Sequence, residues 1–304
     1  MILNDGFHKP VLLPQVLDGL KVELNKKYID ATLGGGSYAY SILKKGGVVL
    51  GIDRDIAAIN FVRSYLKQHD LKNKLNRKII IEHGNFADLE KIAKKNNFDK
   101  VSGIVFDLGL SNYQIKISGR GFTFQKNELL DMRMDGRGKI SALNIINNFS
   151  REELYEIFSK YAEELNSRPI ADAIFSARTL KGPIKTTGQL VEIIEKAVGK
   201  NKYRLKTIAR IFQALRIVTN EEISNLKLGL EQAYDLLAKN GRLVVVSYHS
   251  LEDRIVKLFF EKSEANNKMV IVTRQPIKAD FMEIKNNPSS RSAKLRIAEK
   301  IYGK

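Results

Sequence analysis

Tyr28-Ile-Asp-Ala-Thr-Leu-Gly-Gly-Gly-Ser37 is followed by a second apolar run that ends Val49-Leu-Gly-Ile-Asp53. A short apolar segment stops at a carboxylate, opens into three glycines, continues as a helical pattern through Tyr40-Ser-Ile-Leu43 and returns as another strand closed by an acid. This is the layout of a nucleotide-binding βαβ unit. Glycine lets the backbone approach a ligand, a helix start offers free N–H groups, and an acid ending the second strand can accept both hydroxyls of a ribose. The spacing therefore predicts an adenosine-containing cofactor.

Gly34, Gly36 and Ala39 also satisfy the G-x-G-x-x-G/A spacing of dinucleotide enzymes. Two acids favour S-adenosylmethionine instead. Asp30 directly precedes the glycine loop, where a carboxylate repels a pyrophosphate but can hold an ammonium. Asp107 closes a later apolar run, Val101-Ser-Gly-Ile-Val-Phe106. The glycines by themselves are also compatible with a tight turn and nothing more.

Further strand-like runs fall at Lys78–Glu82, Leu243–Ser247, Met269–Thr273 and Lys294–Ile297, with helical patterns at Asp55–Gln68, Asp88–Lys95, Glu221–Ala238 and Leu251–Glu261. Such alternation predicts an α/β fold with a mostly parallel sheet and helices on both faces. The long gap from Ser111 to Asn240 reads as helices: Ser150 with Glu153 forms a capping box for Arg151–Tyr161, and Thr187 can cap Gln189–Val198. A gap of that length is expected to be an inserted helical domain. The boundaries expected are 1–112 and 215–304 for the discontinuous sheet domain, and 113–214 for the insertion.

Ligands on such sheets bind beyond the carboxyl ends of the strands. The third strand end offers Gly84-Asn-Phe86, where Phe86 can wall an adenine or simply be core. The fourth offers Asp107-Leu-Gly-Leu-Ser-Asn-Tyr-Gln114, and the fifth Ser247-Tyr-His-Ser-Leu-Glu-Asp-Arg254.

The formal net charge of +17 points to a polyanionic partner. Residues 178–216 hold 10 basic against 2 acidic side chains, and residues 268–304 hold 9 against 3, which suggests two basic surfaces. Cysteine is absent and the four histidines, His8, His69, His83 and His249, show no ligand spacing, so disulfides, structural zinc and a thiol nucleophile are not expected. No apolar stretch of membrane-spanning length and no targeting pattern is present, and a soluble cytoplasmic protein is expected.

Nine strings run in order over essentially the whole chain: His8-Lys-Pro-Val-Leu-Leu13, Asp30-Ala-Thr-Leu-Gly34, Gly51-Ile-Asp-Arg-Asp55, Asp107-Leu-Gly-Leu-Ser111, Arg120-Gly-Phe-Thr-Phe124, Leu130-Asp-Met-Arg-Met-Asp135, Phe212-Gln-Ala-Leu-Arg216, His249-Ser-Leu-Glu-Asp-Arg254 and Arg291-Ser-Ala-Lys-Leu-Arg296. In them the chain resembles the bacterial 16S ribosomal RNA (cytosine N4)-methyltransferases, the RsmH or MraW family. The resemblance implies a class I S-adenosylmethionine-dependent methyltransferase fold, Rossmann-like, with a seven-stranded mostly parallel sheet and an inserted helical substrate-recognition domain. It implies as target a cytidine in the decoding centre of the small ribosomal subunit. It places cofactor contacts at Gly36, Ser37, Tyr38, Asp53, Phe86, Asp107 and Gln114, beside the Asp30 and Gly34 read from the loop. The chain departs from the family at Ser37-Tyr38, where Gly-His is usual, at Asn112-Tyr113, where Ser-Pro is usual, at Tyr248 for a phenylalanine and at Ala162 for a glycine.

For methyl transfer to an exocyclic amine the protein supplies chiefly position and electrostatics. Asp107, with Ser111 or Asn112 beside it, is the best placed acceptor for the amine hydrogens; alternatively Asp107 holds only the cofactor. His249 can take the released proton, contact RNA or serve structure. Tyr113 and Tyr248 are candidates to stack a flipped base, or are core. Arg204, Lys206, Arg210 and Arg216 share part of a helical surface and, with Arg291 and Arg296, are expected to meet phosphates; Arg216 can instead brace the insertion. The Arg120-Gly-Phe-Thr-Phe and Met132-Arg133-Met134 segments have no local rationale, and their place just after Asp107 suggests a lid.

A nicotinamide dehydrogenase accounts for the glycines and Asp53 but not for the basic windows or the Asp30 and Asp107 pair. A serine hydrolase built on Gly35-Gly-Ser-Tyr-Ala39 and His249 lacks the last glycine of its elbow. A non-catalytic ribosome-assembly factor that keeps the fold is the remaining alternative. Oligomeric state is open.

Overall fold

A computed structural model describes residues 10–68, 78–199 and 202–302. His8, Lys9 and His69 lie outside the described residues. Two compact units form, Met1–Ser111 with Ile223–Lys304, and Asn112–Glu222.

The first unit is built on seven strands: β1 (Lys27–Asp30), β2 (Val48–Asp53), β3 (Ile79–His83), β4 (Val101–Asp107), β5 (Leu237–Ser247), β6 (Met269–Ile271) and β7 (Lys294–Lys300). Their order across the sheet is β3-β2-β1-β4-β5-β7-β6. The first five run parallel, and β7 lies antiparallel to both β5 and β6. This is the topology of a class I methyltransferase sheet.

Side chains alternate across a strand, so a sheet covered on both faces needs apolar residues at successive positions. The pairs Tyr28 and Ile29, Val49 and Leu50, Val105 and Phe106, and Val244 and Val245 divide in this way between two cores. Val16, Ile42, Ile59 and Leu295 complete one core, and Leu89, Leu230, Ala233 and Phe260 complete the other. Each such side chain contributes roughly 1.5–3 kcal/mol of burial free energy.

Strand order reverses between β1 and β4, which pair with Asp30 opposite Val105. A crevice opens at such a reversal because the flanking connections leave toward opposite faces. Asp30 ends one of these two strands and Asp107 ends the other.

The strand expected at Leu243–Ser247 begins earlier, at Leu237. Its pairing with β4 shifts between Val101 opposite Leu237 and Gly103 opposite Arg242. The intervening Lys239-Asn-Gly241 bulges out, with Asn240 at φ 64°, and this turn-like stretch conceals the strand start from a pattern reading.

Among the described residues, the second unit is helical: Asn112–Lys116, Ala142–Asn148, Arg151–Ala162, Ser167–Lys181, Thr187–Val198 and Arg204–Thr219. Ser150 and Glu153 form the expected capping box. Thr186, not Thr187, caps the helix before Val198, because the Thr187 hydroxyl donates to Lys126 O at 2.6 Å. The expected boundary at 214/215 falls inside the helix Arg204–Thr219, and the unit closes at Glu222.

The two segments without a local rationale are knitted together here. Arg120 Nη1 donates to Arg133 O at 3.1 Å and Met134 O at 3.0 Å, and Met132 N donates to Arg120 O at 2.7 Å.

Candidate active site at the strand ends

Asp30 is fully buried at the end of β1. Its Oδ1 accepts from Thr32 N at 3.3 Å, while Oδ2 is buried with no hydrogen-bond partner. Burial pushes its carboxyl up to about 7; the Thr32 N–H opposes the rise, and the charges of Asp107 and Asp53 add to it.

Asp53, at the end of β2, stitches the glycine loop to the sheet. Its Oδ2 accepts from Gly34 N at 2.7 Å and its Oδ1 from Asp55 N at 2.8 Å. Burial pushes this carboxyl up to about 6 against the pull of those two N–H groups. A carboxylate offers about four acceptor positions, so two remain for a pair of hydroxyls.

Gly36 begins the helix Ser37–Lys44 in the left-handed region, φ 77°, with no side-chain cap, a conformation that favours glycine. At Gly34 an added Cβ would meet nothing nearer than Thr32 O at 3.8 Å, so the loop has open space above it. Ser37 Oγ is buried and, like Asp30 Oδ2, has no partner. Two orphaned polar atoms within eight residues, one of them a carboxylate oxygen, mark a cradle built for a polar ligand.

Tyr38, expected among the cofactor contacts, is turned into the core. Its hydroxyl donates to Val11 O at 2.5 Å and accepts from Val11 N at 3.1 Å, so the ring anchors an N-terminal segment. Burial, then the charge of Asp107, holds its phenol well above the usual range.

Phe86 is half-buried, edge-on to Phe106 with ring centroids 5.5 Å apart. It also lies against Gly229, where a Cβ would stand 2.9 Å from Phe86 Cδ2. One side of the ring is core and the rest is partly exposed.

Asp107 ends β4, mostly buried. Its backbone N–H donates to Thr32 Oγ1 at 2.6 Å, and its Oδ1 accepts from the Tyr248 hydroxyl at 2.7 Å. Thr32 thus ties the ends of β1 and β4, a role that local pattern cannot reveal. Ser111 is buried at the close of the first unit's leading segment; Tyr113 and Gln114 belong to the short helix Asn112–Lys116 of the second unit, Gln114 buried within it.

His249 caps the helix Ser250–Ala265. Its Nδ1 accepts from Glu252 N at 3.4 Å, its Nε2 lies 3.0 Å from Glu252 Oε1, and Glu252 Oε2 accepts from Tyr248 N at 2.9 Å. The i, i+3 spacing of a capping box was visible here, with histidine in the place of serine or threonine.

The expected phosphate contacts separate into two groups. Arg296 is a correction: it is 7% exposed, and Asp253 accepts its Nε at 2.6 Å and its Nη2 at 3.3 Å, so it is spent inside the fold. Arg216 is likewise held by Glu222 in a two-pronged pair at 2.8 and 2.9 Å. Arg210 covers the buried Glu164 at 2.5 Å, and Arg204 pairs with Glu195 at 3.1 Å. Lys206 and Arg291 are exposed, and neither has a carboxylate partner among the described residues. Among the described residues no helix is long and apolar enough to cross a membrane.

The family model described as the MraW methylase family matches residues 5–301. A protein named Ribosomal RNA small subunit methyltransferase H from Clostridium botulinum (strain Loch Maree / Type A3) is 40% identical over 313 aligned positions, covering 97% of this chain and 99% of its own length. Its namesake from Halothermothrix orenii is 41% identical over 314 positions, with coverages of 97% and 98%. That from Sulfurihydrogenibium sp. is 39% identical over 298 positions, with coverages of 97% and 99%.

Proposed function

Because the chain belongs to the MraW methylase family, we propose that it methylates N4 of a cytidine in the decoding centre of 16S ribosomal RNA, with S-adenosylmethionine as donor. Relatives that span nearly its whole length carry the name of a small-subunit ribosomal RNA methyltransferase. The observation that carries the reading is the convergence of three carboxylates, Asp30, Asp53 and Asp107, on the ends of neighbouring strands around a glycine loop with orphaned polar atoms.

Those residues fit a cationic adenosine derivative. Asp30 Oδ2 accepts the ammonium of a methionine tail, Ser37 Oγ is free to bond its carboxylate, Asp53 takes ribose hydroxyls, and the partly exposed side of Phe86 walls the adenine. A pyrophosphate meets net repulsion from the same acids. When bound, the cofactor supplies a methyl group already activated on a sulfonium.

The acceptor is the harder half, because the lone pair of the cytosine amine is delocalised into the ring. Asp107 accepts an N4–H, turns that lone pair out of conjugation and holds the positive charge that grows on nitrogen. The surplus proton then passes to water. His249 caps its helix through Nδ1, and Glu252 of the same cap holds the Tyr248 backbone. Ser111 follows the Asp107 loop in sequence and completes the acceptor side. Lys206 and Arg291, with Arg204 and Arg210 at exposed edges, meet the RNA backbone. The helical second unit serves substrate recognition.

The test is methyl transfer from labelled S-adenosylmethionine to small subunits from a strain lacking the modification, followed by nucleoside mass analysis. N4-methylcytidine at one site is expected. Label in another nucleoside, or none with saturable cofactor binding, overturns the assignment.

A further inference from the structure

We propose that Thr32 is a cofactor-binding residue, its hydroxyl donating to the carboxylate at the methionine end of S-adenosylmethionine. The proposal rests on the cofactor reading above and assigns one hydrogen bond within it.

The loop from Ala31 to Ala39 shows little of itself to solvent. Only Thr32 and Gly34 are partly exposed there, and the others are buried. The backbone around Thr32 is tied down on both sides: Ala31 N donates to Val105 O at 2.9 Å, Leu33 N to Ile52 O at 2.8 Å and Gly34 N to Asp53 Oδ2 at 2.7 Å. Thr32 is thereby fixed at the strand reversal, where it touches both acids of the crevice. Its N–H donates to Asp30 Oδ1 at 3.3 Å, and its hydroxyl accepts from Asp107 N at 2.6 Å. Open space borders it, since a Cβ added at Gly34 would find only Thr32 O, 3.8 Å away.

The proton of this hydroxyl is unclaimed. Asp107 N occupies one lone pair of Oγ1, and among the described residues no group accepts from it. A hydroxyl has one proton to give, so Thr32 can meet a ligand in the crevice as a donor. At the methionine end of the cofactor the ammonium belongs to Asp30 Oδ2, which is buried without a partner, and neither an ammonium nor a sulfonium accepts a hydrogen bond. The ribose hydroxyls go to Asp53 on β2, which lies across β1 from β4. The carboxylate is the acceptor that remains on the β4 side. A hydrogen bond to a charged acceptor is roughly twice as strong as a neutral one, and Thr32 supplies it while keeping Asp107 N.

Calorimetry on the full-length protein compares S-adenosylhomocysteine with its decarboxylated analogue, which keeps the amine and lacks the carboxylate. Thr32→Val removes the hydroxyl and keeps the shape. It is expected to weaken S-adenosylhomocysteine binding by about tenfold or more and to leave the decarboxylated analogue within about twofold. Thr32→Ser, which retains the hydroxyl, binds S-adenosylhomocysteine within about threefold of the unaltered protein. Because valine also strips Asp107 N of its acceptor, folding is followed by thermal melting. Thr32→Ala leaves room for a water at that N–H and gives the same ligand pattern where valine unfolds the chain. Unchanged S-adenosylhomocysteine affinity in these variants overturns the proposal. An equal loss for the two ligands also overturns it, because the hydroxyl then acts only through the strand ends. No binding of S-adenosylhomocysteine by the unaltered protein overturns the cofactor reading itself.

Discussion

Asn220 bridges Met132 and Met134: its Nδ2 donates to Met132 O at 2.7 Å, and its Oδ1 accepts from Met134 N at 2.8 Å. Met132 is buried and sits at φ 57°, a left-handed conformation that costs a residue with a long side chain on the order of 1–2 kcal/mol. The amide of Asn220 matches that backbone at two atoms and offsets the strain. Asn220→Ala is expected to lose about 2–4 kcal/mol, since it orphans a buried carbonyl and N–H together. The check is urea unfolding; a loss under about 1 kcal/mol would mean that other contacts hold the turn.

Asp30 works against the stability of the cofactor-free fold. Its carboxyl holds a proton up to about pH 7 in the folded state, whereas an unfolded aspartate releases it near 3.8. Between these values the folded chain binds the extra proton, so stability declines as pH rises from about 4 to about 7 and stays low above. Asp30→Asn is expected to raise the melting temperature of the cofactor-free protein at pH 8 by a few degrees and to flatten that slope. It is also expected to weaken cofactor binding by tenfold or more. A melting temperature that falls instead counts against the buried, unpartnered carboxylate as the source.

The same acid couples cofactor binding to pH. A cation beside Asp30 requires its ionised form, so affinity climbs as pH rises toward the value of about 7 and levels off beyond it. Titration calorimetry at pH 6 in buffers of different ionisation enthalpy should show release of about one proton per cofactor bound. Asp30→Asn should abolish that release.

Arg296 and Lys206 are both cations from basic windows, and their substitutions should diverge. Asp253→Ala, which strands the buried Arg296 guanidinium, is expected to cost about 3–5 kcal/mol. Lys206→Ala and Arg291→Ala should leave the melting temperature unchanged. Each should lower the slope of log affinity for small subunits against log salt concentration by roughly 0.7–0.9. An unchanged slope would place that side chain away from the RNA backbone.

The strand ends were legible because each announces itself locally: an apolar run stops at Asp30, Asp53 or Asp107, and glycines or a turn follow. What escaped are contacts made far along the chain. Tyr38 meets Val11 across 27 residues and Arg296 meets Asp253 across 43, so neither the tyrosine beside the glycines nor the arginine in a basic window revealed which way it faces. The choice between Thr186 and Thr187 turned on a carbonyl of Lys126, 61 residues upstream. The Met132 segment resisted for the same reason, since its partner Asn220 lies 88 residues beyond Met132. Periodicity reports burial and local capping; it carries no record of a specific distant partner.

The β4 and β5 strands are direct neighbours, yet β4 ends at Asp107 and β5 starts at Leu237. During translation at 5–20 residues per second, the nascent chain spends roughly ten seconds between completing one and beginning the other. For that interval only β3, β2, β1 and β4 exist, and the edge destined for β5 carries Ile104, Val105 and Phe106, all fully buried once folding is complete. An apolar strand with an unpaired ladder is a template for pairing with another chain. The insertion thus imposes a vulnerable interval on synthesis, and half-made chains held at that point are where aggregation should start.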